Sequence, residues 1–182
     1  MKDKIKIGAV EKVIHTNRMI RRVGLDSDVM IALVDDSKQF SMFKPKIFSR
    51  KNLLFINYKV FSELLGHFMY NRKLSKENSL KKIFAYLRKN KITLLKKKDT
   101  DINKVQEIFE SLKKQKQILD NNAGDKDLMI ISIYKVHNIN LIFSRNKDDF
   151  KPFCEYLGIS FEKLQEDLDT MWGQVFGWRR RR

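Results

Sequence analysis

Two aspartates interrupt an apolar segment near the start of the chain. The segment reads VGLDSDVMIALV, and Asp26 and Asp28 stand two positions apart within it. Burial of a carboxylate costs free energy unless the group is paired, hydrogen-bonded or bound to a cation. The pair therefore predicts either a cation site or a turn or helix N-cap, since aspartate is favoured at N-caps.

Short apolar segments alternate with segments of helical spacing along the chain. Four short segments are predicted strands, at residues 23–25, 53–57, 91–95 and 139–143. Helical spacing predicts helices over residues 58–72, 75–90, 100–122 and 160–178. Asn57 and Ser75 are suitable N-caps for the first two of these helices. The alternation predicts an α/β fold of three layers, α/β/α, with a central, mostly parallel sheet of about four to five strands.

Three details of these elements are open to test. The spacing places Ile102 on the inward face of its helix and Phe84 on one face with Ile83 and Leu87. The segment DLMIISIYKVHN, which begins at Asp127, is apolar all round, so periodicity predicts either a buried helix or a strand.

Several acidic residues follow predicted strands or lie early in predicted helices. In parallel sheets, ligands bind at the carboxyl ends of the strands. Asp26 and Asp28 follow the first strand, and Glu63 lies early in the helix after the second. Asp127 lies near the start of the apolar segment, and Asp149 follows the strand at 139–143. We therefore expect carboxylates distant in sequence to meet at one edge of the sheet.

Composition narrows the class of protein and its partners. The chain has 182 residues and a net charge of +16, from 38 basic and 22 acidic residues. Such a charge favours a polyanionic partner, and nucleic acid is the first to consider. No apolar run is long enough to span a membrane. The single cysteine, Cys154, and the absence of a secretory signal pattern predict a cytoplasmic protein.

Three sequence blocks in order resemble the motifs of PIN-domain ribonucleases, including VapC-type toxins. The blocks are GLDSDVMIAL, FSELL and GDKDLMIISIYKVHNINLIFSRNKDDF, and the resemblance covers residues 23–152. The last block is the most specific, because an aspartate opens an apolar helix, a strand follows, and a Ser-Arg-Asn-x-x-Asp-Phe turn ends it. The resemblance implies that the apolar segment after Asp127 is a helix.

The resemblance also implies a set of site residues. The family's core acids fall on Asp26, Glu63 and Asp127, its fourth acid falls on Asp149, and its variable second position falls on Asp28. Supporting hydrogen bonds are expected from Ser144 and Asn146, and contacts to RNA from Arg145, Lys147, Arg179 and Arg180. Arg145 occupies the place where some family members carry their fourth acid.

This acid set implies metal-assisted hydrolysis of RNA. Clustered carboxylates repel one another, and Mg²⁺ or Mn²⁺ relieves that repulsion because both ions prefer oxygen ligands. Two such ions activate water and stabilise the leaving oxygen of a phosphodiester. The expected protein is an endoribonuclease, either the toxin of a toxin–antitoxin system or an RNA-processing nuclease. A toxin implies a small antitoxin partner and a homodimer.

The predicted organisation is an N-terminal extension at 1–22, a nuclease domain at 23–152, and a C-terminal amphipathic helix with a basic tail at 153–182.

The remaining chemistry-bearing residues have structural interpretations. Asp125 matches no family acid and is expected to be a helix N-cap. The three histidines lack the spacing of a zinc site, and Cys154 is expected to be a small buried hydrophobe.

Two other functions are consistent with parts of the sequence. A non-catalytic RNA-binding protein on a PIN fold would retain the charge without the chemistry. DSDVM and GDKD are also similar to motifs of HAD phosphatases. That similarity is incomplete, because Val29-Met30 stands where that family has Gly-Thr or Val-Thr, and Gly124-Asp125 follows a polar stretch instead of a strand.

Overall fold

The structure is a computed structural model, and it describes residues 20–164 of the chain. The strands in this part are Arg21–Leu25 (β1), Asn52–Asn57 (β2), Thr93–Leu95 (β3), Leu141–Ser144 (β4) and Ser160–Lys163 (β5). The helices in this part are Ser27–Val34 (α1), Lys44–Ile47 (α2), Tyr58–Gly66 (α3), Lys76–Lys89 (α4), Ile102–Ile118 (α5), Asp125–Val136 (α6) and Lys147–Tyr156 (α7). A π-helical turn, His67–Asn71, continues α3.

The five strands form one sheet in the order β3-β2-β1-β4-β5, and every neighbouring pair is parallel. Gly24 of β1 is in register with Phe55 of β2 and Ile142 of β4, so the central strands reach the same edge together. The predicted three-layer α/β/α class with a parallel sheet is confirmed. Its carboxyl edge is where ligands bind in sheets of this kind.

Local sequence explains where two of the helices begin. The side-chain oxygen of Asn57 accepts hydrogen bonds from the backbone N–H groups of Lys59 and Val60 at the start of α3. The hydroxyl of Ser75 accepts a hydrogen bond from the N–H of Asn78 at the start of α4. Both N-cap predictions are confirmed, and each satisfies donors that a helix terminus would otherwise leave free.

Helix α6 packs directly on the middle of the sheet. The ring of Tyr134 is fully buried, and a Cβ atom at Gly24 would lie only 2.8–2.9 Å from it, so glycine is required there. The Tyr134 hydroxyl donates a hydrogen bond of 2.5 Å to the carbonyl oxygen of Leu25, at the end of β1. The apolar segment after Asp127 is therefore the helix that the family resemblance implied, and it is buried on nearly every side because the sheet and neighbouring helices surround it.

Four sequence predictions differ from the structure. Residues 160–163 form β5, paired with β4, where the spacing predicted a helix; the rest of that predicted helix lies outside the described residues. Ile102 is 42% exposed and does not face the core. Phe84 is 43% exposed, although Ile83 beside it is buried. The N-cap of α6 is Gly124, and Asp125 is the first residue of that helix.

The core is one cluster that includes residues of strands β1 to β4 and of helices α1 to α7, and Phe161 of β5 packs against it. Between residues 20 and 164, no helix combines the length and the apolar character that crossing a bilayer requires.

Candidate functional site

Asp26 lies at the carboxyl end of the central strand β1 and is only 3% exposed. Its backbone N–H donates to the carbonyl of Phe143 in the neighbouring strand β4, at 3.0 Å. One carboxylate oxygen accepts a hydrogen bond of 2.7 Å from the N–H of Ser27, which makes Asp26 the N-cap of α1. The other accepts one of 2.7 Å from the hydroxyl of Ser144. Asp28, the alternative N-cap, lies instead in the exposed first turn of α1.

The environment of Asp26 opposes its ionisation. Burial raises the pKa of this carboxyl to about 7; the hydrogen bonds from Ser144 and Ser27 act in the opposite direction, and the negative charges of Asp28 and Asp127 raise it further. The two hydrogen bonds hold the carboxylate in one orientation without neutralising it. A cation beside it would restore the charged form at neutral pH.

Asp127 lies in the first turn of α6 and is half-buried. One of its carboxylate oxygens accepts a hydrogen bond of 3.2 Å from the N–H of Gly124. Burial is the main cause that raises its pKa, the hydrogen bond from Gly124 lowers it, and the charges of Asp149, Glu63 and Asp28 raise it. The carboxylates predicted from four separate segments therefore act on one another through space.

Asn57 positions the helix that carries Glu63. It is fully buried at the end of β2, where it caps α3, and its amide also donates a hydrogen bond of 3.2 Å to the carbonyl of Ile130 in α6. Through this one side chain, the helices that bear Glu63 and Asp127 are tied to the same strand end. Sequence reasoning found Asn57 only as an N-cap; the signal it missed was a polar residue ending an otherwise apolar strand.

A chain of hydrogen bonds connects Asp26 with Asp149. The hydroxyl of Ser144 donates to Asp26 and accepts from the backbone N–H of Asn146, at 3.0 Å. Asn146 is the N-cap of α7, and its side-chain amide donates to the carboxylate of Asp149 in the first turn of that helix. The two supporting residues thus orient the two acids that follow β1 and β4.

The predicted RNA-contacting residues divide into two groups. Arg145 and Lys147 follow β4 at the carboxyl edge, and both are exposed. Arg179 and Arg180 lie outside the described residues.

Cys154, expected to be a small buried residue, is fully buried in α7, and burial raises its thiol pKa to about 12, so it is not a nucleophile.

The donor chemistry of this edge fits a hard divalent cation. The acids provide only oxygen ligands, which Mg²⁺ and Mn²⁺ prefer, and buried Asp26 has a raised pKa that a cation would lower. Within residues 20–164, no three Asp, Glu, His or Cys side chains lie close enough together to form a ready-made metal cluster. The acids are close enough for their charges to raise the pKa values of Asp26 and Asp127, but they do not surround a common point.

Comparison with solved structures identifies the architecture. The fold is similar to a chain in the structure of VapBC2 from Rickettsia felis bound to a DNA fragment from their promoter, with 15% identity and a TM-score of 0.62, covering 79% of this chain and 99% of that one. The chain has a VapC-like PIN fold.

Two further structures show the same likeness to the VapC-like PIN fold. VapBC-1 from nontypeable Haemophilus influenzae matches with 13% identity and a TM-score of 0.57, covering 78% of this chain and 97% of that one. DNA-bound VapBC from Salmonella typhimurium matches with 15% identity and a TM-score of 0.59, covering 79% and 98%. No family model matches the sequence, and no curated protein matches it significantly. At these identities the likeness establishes the fold, and the chemistry must be argued from the side chains.

Proposed function

We propose that this protein is a divalent-metal-dependent endoribonuclease that hydrolyses RNA phosphodiester bonds. The observation that carries the proposal is the mutual electrostatic effect of carboxylates from four separate segments at the carboxyl edge of the sheet: Asp26, Asp28, Glu63, Asp127 and Asp149. Repulsion between these carboxylates does not stabilise the fold, and bound divalent cations would relieve it.

In this proposal Asp26, Glu63 and Asp127 would hold the cation, and Asp149 would hold a second ion or orient water. The bound ion would activate water and stabilise the negative charge that develops on the phosphodiester. The chain supplies the orientation of its ligands: Ser27 and Ser144 fix the carboxylate of Asp26 by two hydrogen bonds of 2.7 Å.

Positive charge around this edge supports RNA as the substrate. Arg145 and Lys147 are exposed directly after β4, beside the acids, where they would contact phosphates on either side of the scissile bond. The net charge of +16 attracts a polyanion over longer distances, and that attraction weakens with added salt.

We further propose that the nuclease is the toxin of a toxin–antitoxin pair, inhibited by a small antitoxin protein. The likeness to chains of three VapBC structures supports this role over that of an RNA-processing nuclease. Induced expression of the wild-type chain should arrest bacterial growth, whereas Asp127→Asn should not. Normal growth with soluble, active wild-type enzyme would favour the RNA-processing role.

The test of the chemistry is RNA cleavage by the purified full chain in the presence of Mg²⁺ or Mn²⁺. Cleavage should stop on chelation, and Asp127→Asn and Asp149→Asn should each reduce its rate. Asp125→Asn is the matched control, because Asp125 is an exposed acid in the same helix turn as Asp127. Metal-dependent cleavage that survives Asp127→Asn would show that the site lies elsewhere.

The second candidate is a non-catalytic RNA-binding protein on this fold, which the net charge alone would support. It predicts salt-sensitive RNA affinity that chelation leaves unchanged, and no cleavage with either metal.

A further inference from the structure

Within residues 20–164, the largest fully buried side chain is that of Tyr134 in α6, and it carries a polar hydroxyl group. Burial of a hydroxyl costs free energy unless it is hydrogen-bonded, and phenylalanine would fill the same space without that cost. The hydroxyl donates a hydrogen bond of 2.5 Å to the carbonyl oxygen of Leu25 and lies 3.4 Å from the carbonyl oxygen of Phe55. It therefore reaches the carboxyl ends of two neighbouring strands, β1 and β2.

The hydroxyl of Tyr134 acts as a donor because it keeps its proton. Burial raises the pKa of this hydroxyl well above its usual value, and the negative charge of Asp26 raises it further. Hydrogen bonds with the backbone of Asn57 and Leu25 act in the opposite direction and do not outweigh burial. The influence of Asp26 also shows that the hydroxyl lies close to the most buried acid of the candidate site.

The peptide group that precedes Asp26 is held at both of its polar atoms. Its carbonyl oxygen, which belongs to Leu25, accepts the hydrogen bond from Tyr134. Its N–H, which belongs to Asp26, donates to the carbonyl of Phe143 at 3.0 Å. The first bond comes from α6 and the second from β4, so the backbone at Asp26 is fixed relative to α6 as well as to the sheet.

Helix α6 also carries Asp127, on the same face as Tyr134. The two residues are seven positions apart, which is two helical turns and about 10 Å along the axis. Between them, the carbonyl of Ile130 accepts a hydrogen bond of 3.2 Å from the fully buried amide of Asn57. The other contacts of α6 with the core are mostly apolar and therefore non-directional. The two hydrogen bonds, to the ends of β1 and β2, restrict movement of α6 along its axis.

We propose that Tyr134 is a positioning residue for the acidic site and that, together with Asn57, it sets the separation between Asp127 and Asp26. The inference rests on the proposed function, because its consequence is the affinity of these carboxylates for a divalent cation. Carboxylates that repel one another need a constraint from the fold to stay where one ion would bind both. Tyr134 acts only through the two acids, so cation affinity should depend on it more than the rate of the loaded enzyme.

The experiment measures Mn²⁺ binding to the full chain without RNA, from the electron paramagnetic resonance signal of free Mn²⁺. Tyr134→Phe keeps the ring and removes only the hydroxyl. It should raise the dissociation constant for Mn²⁺ about tenfold, as is typical when a group that orients metal ligands is lost. The Mn²⁺ concentration for half-maximal RNA cleavage should rise by the same factor, whereas the rate at saturating Mn²⁺ should stay within about threefold of wild type.

Two control variants separate positioning from stability. Tyr156→Phe removes the hydroxyl of an exposed tyrosine, which lies 3.1 Å from the hydroxyl of Ser111. Ile83→Val removes a methyl group from the fully buried core of α4, which carries none of the site's acids, and it should lower the urea midpoint of unfolding. Both should leave the Mn²⁺ dissociation constant unchanged. A loss of affinity in Ile83→Val equal to that in Tyr134→Phe would attribute the effect to stability and overturn the proposal.

Asn57→Ser is the second variant, and it decides the proposal if Tyr134→Phe does not fold. Serine keeps an acceptor for the cap of α3 but is too short to reach the carbonyl of Ile130. It should also weaken Mn²⁺ binding about tenfold. Wild-type affinity in folded Tyr134→Phe, or in Asn57→Ser if the first variant does not fold, overturns the proposal. If the wild type still shows metal-dependent cleavage, the proposed function survives that result, whereas a wild-type chain that binds no Mn²⁺ overturns both.

Discussion

Helix α1 has an aspartate at each end, and the two carboxylates lie in opposite electrostatic environments. Asp26 caps the N-terminus and Asp35 caps the C-terminus. The carboxylate of Asp35 accepts hydrogen bonds from Arg72 at 2.6 and 3.0 Å, lies 3.2 Å from the imidazole of His67 and 3.4 Å from the ammonium of Lys82. Burial raises the pKa of Asp35, but these three partners outweigh it and hold the pKa below its usual range.

The contrast separates a carboxylate that the chain neutralises from one whose ionisation its environment opposes. A helix dipole disfavours a negative charge at the C-terminus, yet Asp35 is neutralised there by cations from the π-helical turn region and α4. The dipole favours Asp26, but burial raises the pKa of that carboxyl to about 7 and the neighbouring charges of Asp28 and Asp127 are negative. The chain itself neutralises the first carboxylate; in the proposed function, a bound cation would neutralise the second.

The largest expected effect is on the rate of RNA cleavage, and it is expected only for the aspartate at the N-terminus of α1. Asp26→Asn should reduce metal-dependent RNA cleavage by about 10³-fold, because the amide cannot bind the cation as the carboxylate does. Asp35→Asn, on the same helix, should change the single-turnover rate by less than about threefold. Similar losses of cleavage rate in the two variants would mean that Asp26 and Asp35 do not differ in their contribution to catalysis.

The next effect is on stability as a function of pH. The folded pKa of Asp26 is about 7 and its unfolded value is 3.8, so the folded state binds the proton more tightly. The contribution of Asp26 to stability should therefore be greatest below about pH 4 and fall as pH rises to about 7, by up to about 4 kcal/mol. Asp127, whose pKa is also raised, contributes with the same sign.

Asp35 contributes with the opposite sign, because its lowered pKa makes stability fall only as pH drops below its unfolded value. Urea unfolding at pH 5 and pH 8, with and without Mg²⁺, measures the difference. Mg²⁺ should restore stability at pH 8 in the wild type and less so in Asp26→Asn. A stability that is independent of pH in this range would remove the argument for an uncompensated carboxylate at Asp26.

A smaller effect tests how the carboxylate is held. Ser144→Ala removes the hydroxyl that donates to Asp26 at 2.7 Å, and cleavage should fall by about 10- to 100-fold. Because that hydrogen bond lowers the pKa of Asp26, its loss should also move the acidic limb of the pH–rate profile to higher pH. A lower rate with an unchanged profile would indicate a merely structural role for Ser144.

The smallest effect belongs to the other end of α1. Asp35→Asn should reduce the free energy of unfolding by about 1–2 kcal/mol, because the hydrogen bonds from Arg72 lose their charged acceptor. Urea denaturation at low and high salt is the measurement, and the difference should shrink with salt. Arg72→Met should cost about as much as Asp35→Asn, and the double variant little more, if the two residues act as one pair.

Local signals explain why much of the architecture was predictable. Strands β1 and β2 each contain a short buried apolar run, and Asn57 and Ser75 are good N-caps because their side chains accept from the first free N–H groups of a helix. Helix α6 was ambiguous by periodicity, because the sheet and helices bury nearly all of its sides; only its place in an ordered set of motifs indicated a helix. The candidate acids were predicted in the same way, by order and spacing.

Long-range contacts explain what was missed. Phe161 and Leu164 fit a helical spacing, but residues 160–163 gain parallel hydrogen bonds with β4, which lies about twenty positions earlier. The ion-pair network of Asp35 joins residues 32 to 47 positions apart. Neither set of contacts produces a periodic pattern in the sequence, because both depend on which helices and strands lie next to each other in the fold.

The sequence by itself determined the alternation of strands and helices and the two side-chain caps of α3 and α4, because these depend on residue type and short spacing. Only the tertiary structure decided which aspartate is neutralised and which is not. Asp26 and Asp35 are the same residue type nine positions apart, and burial and neighbouring charge move their pKa values in opposite directions.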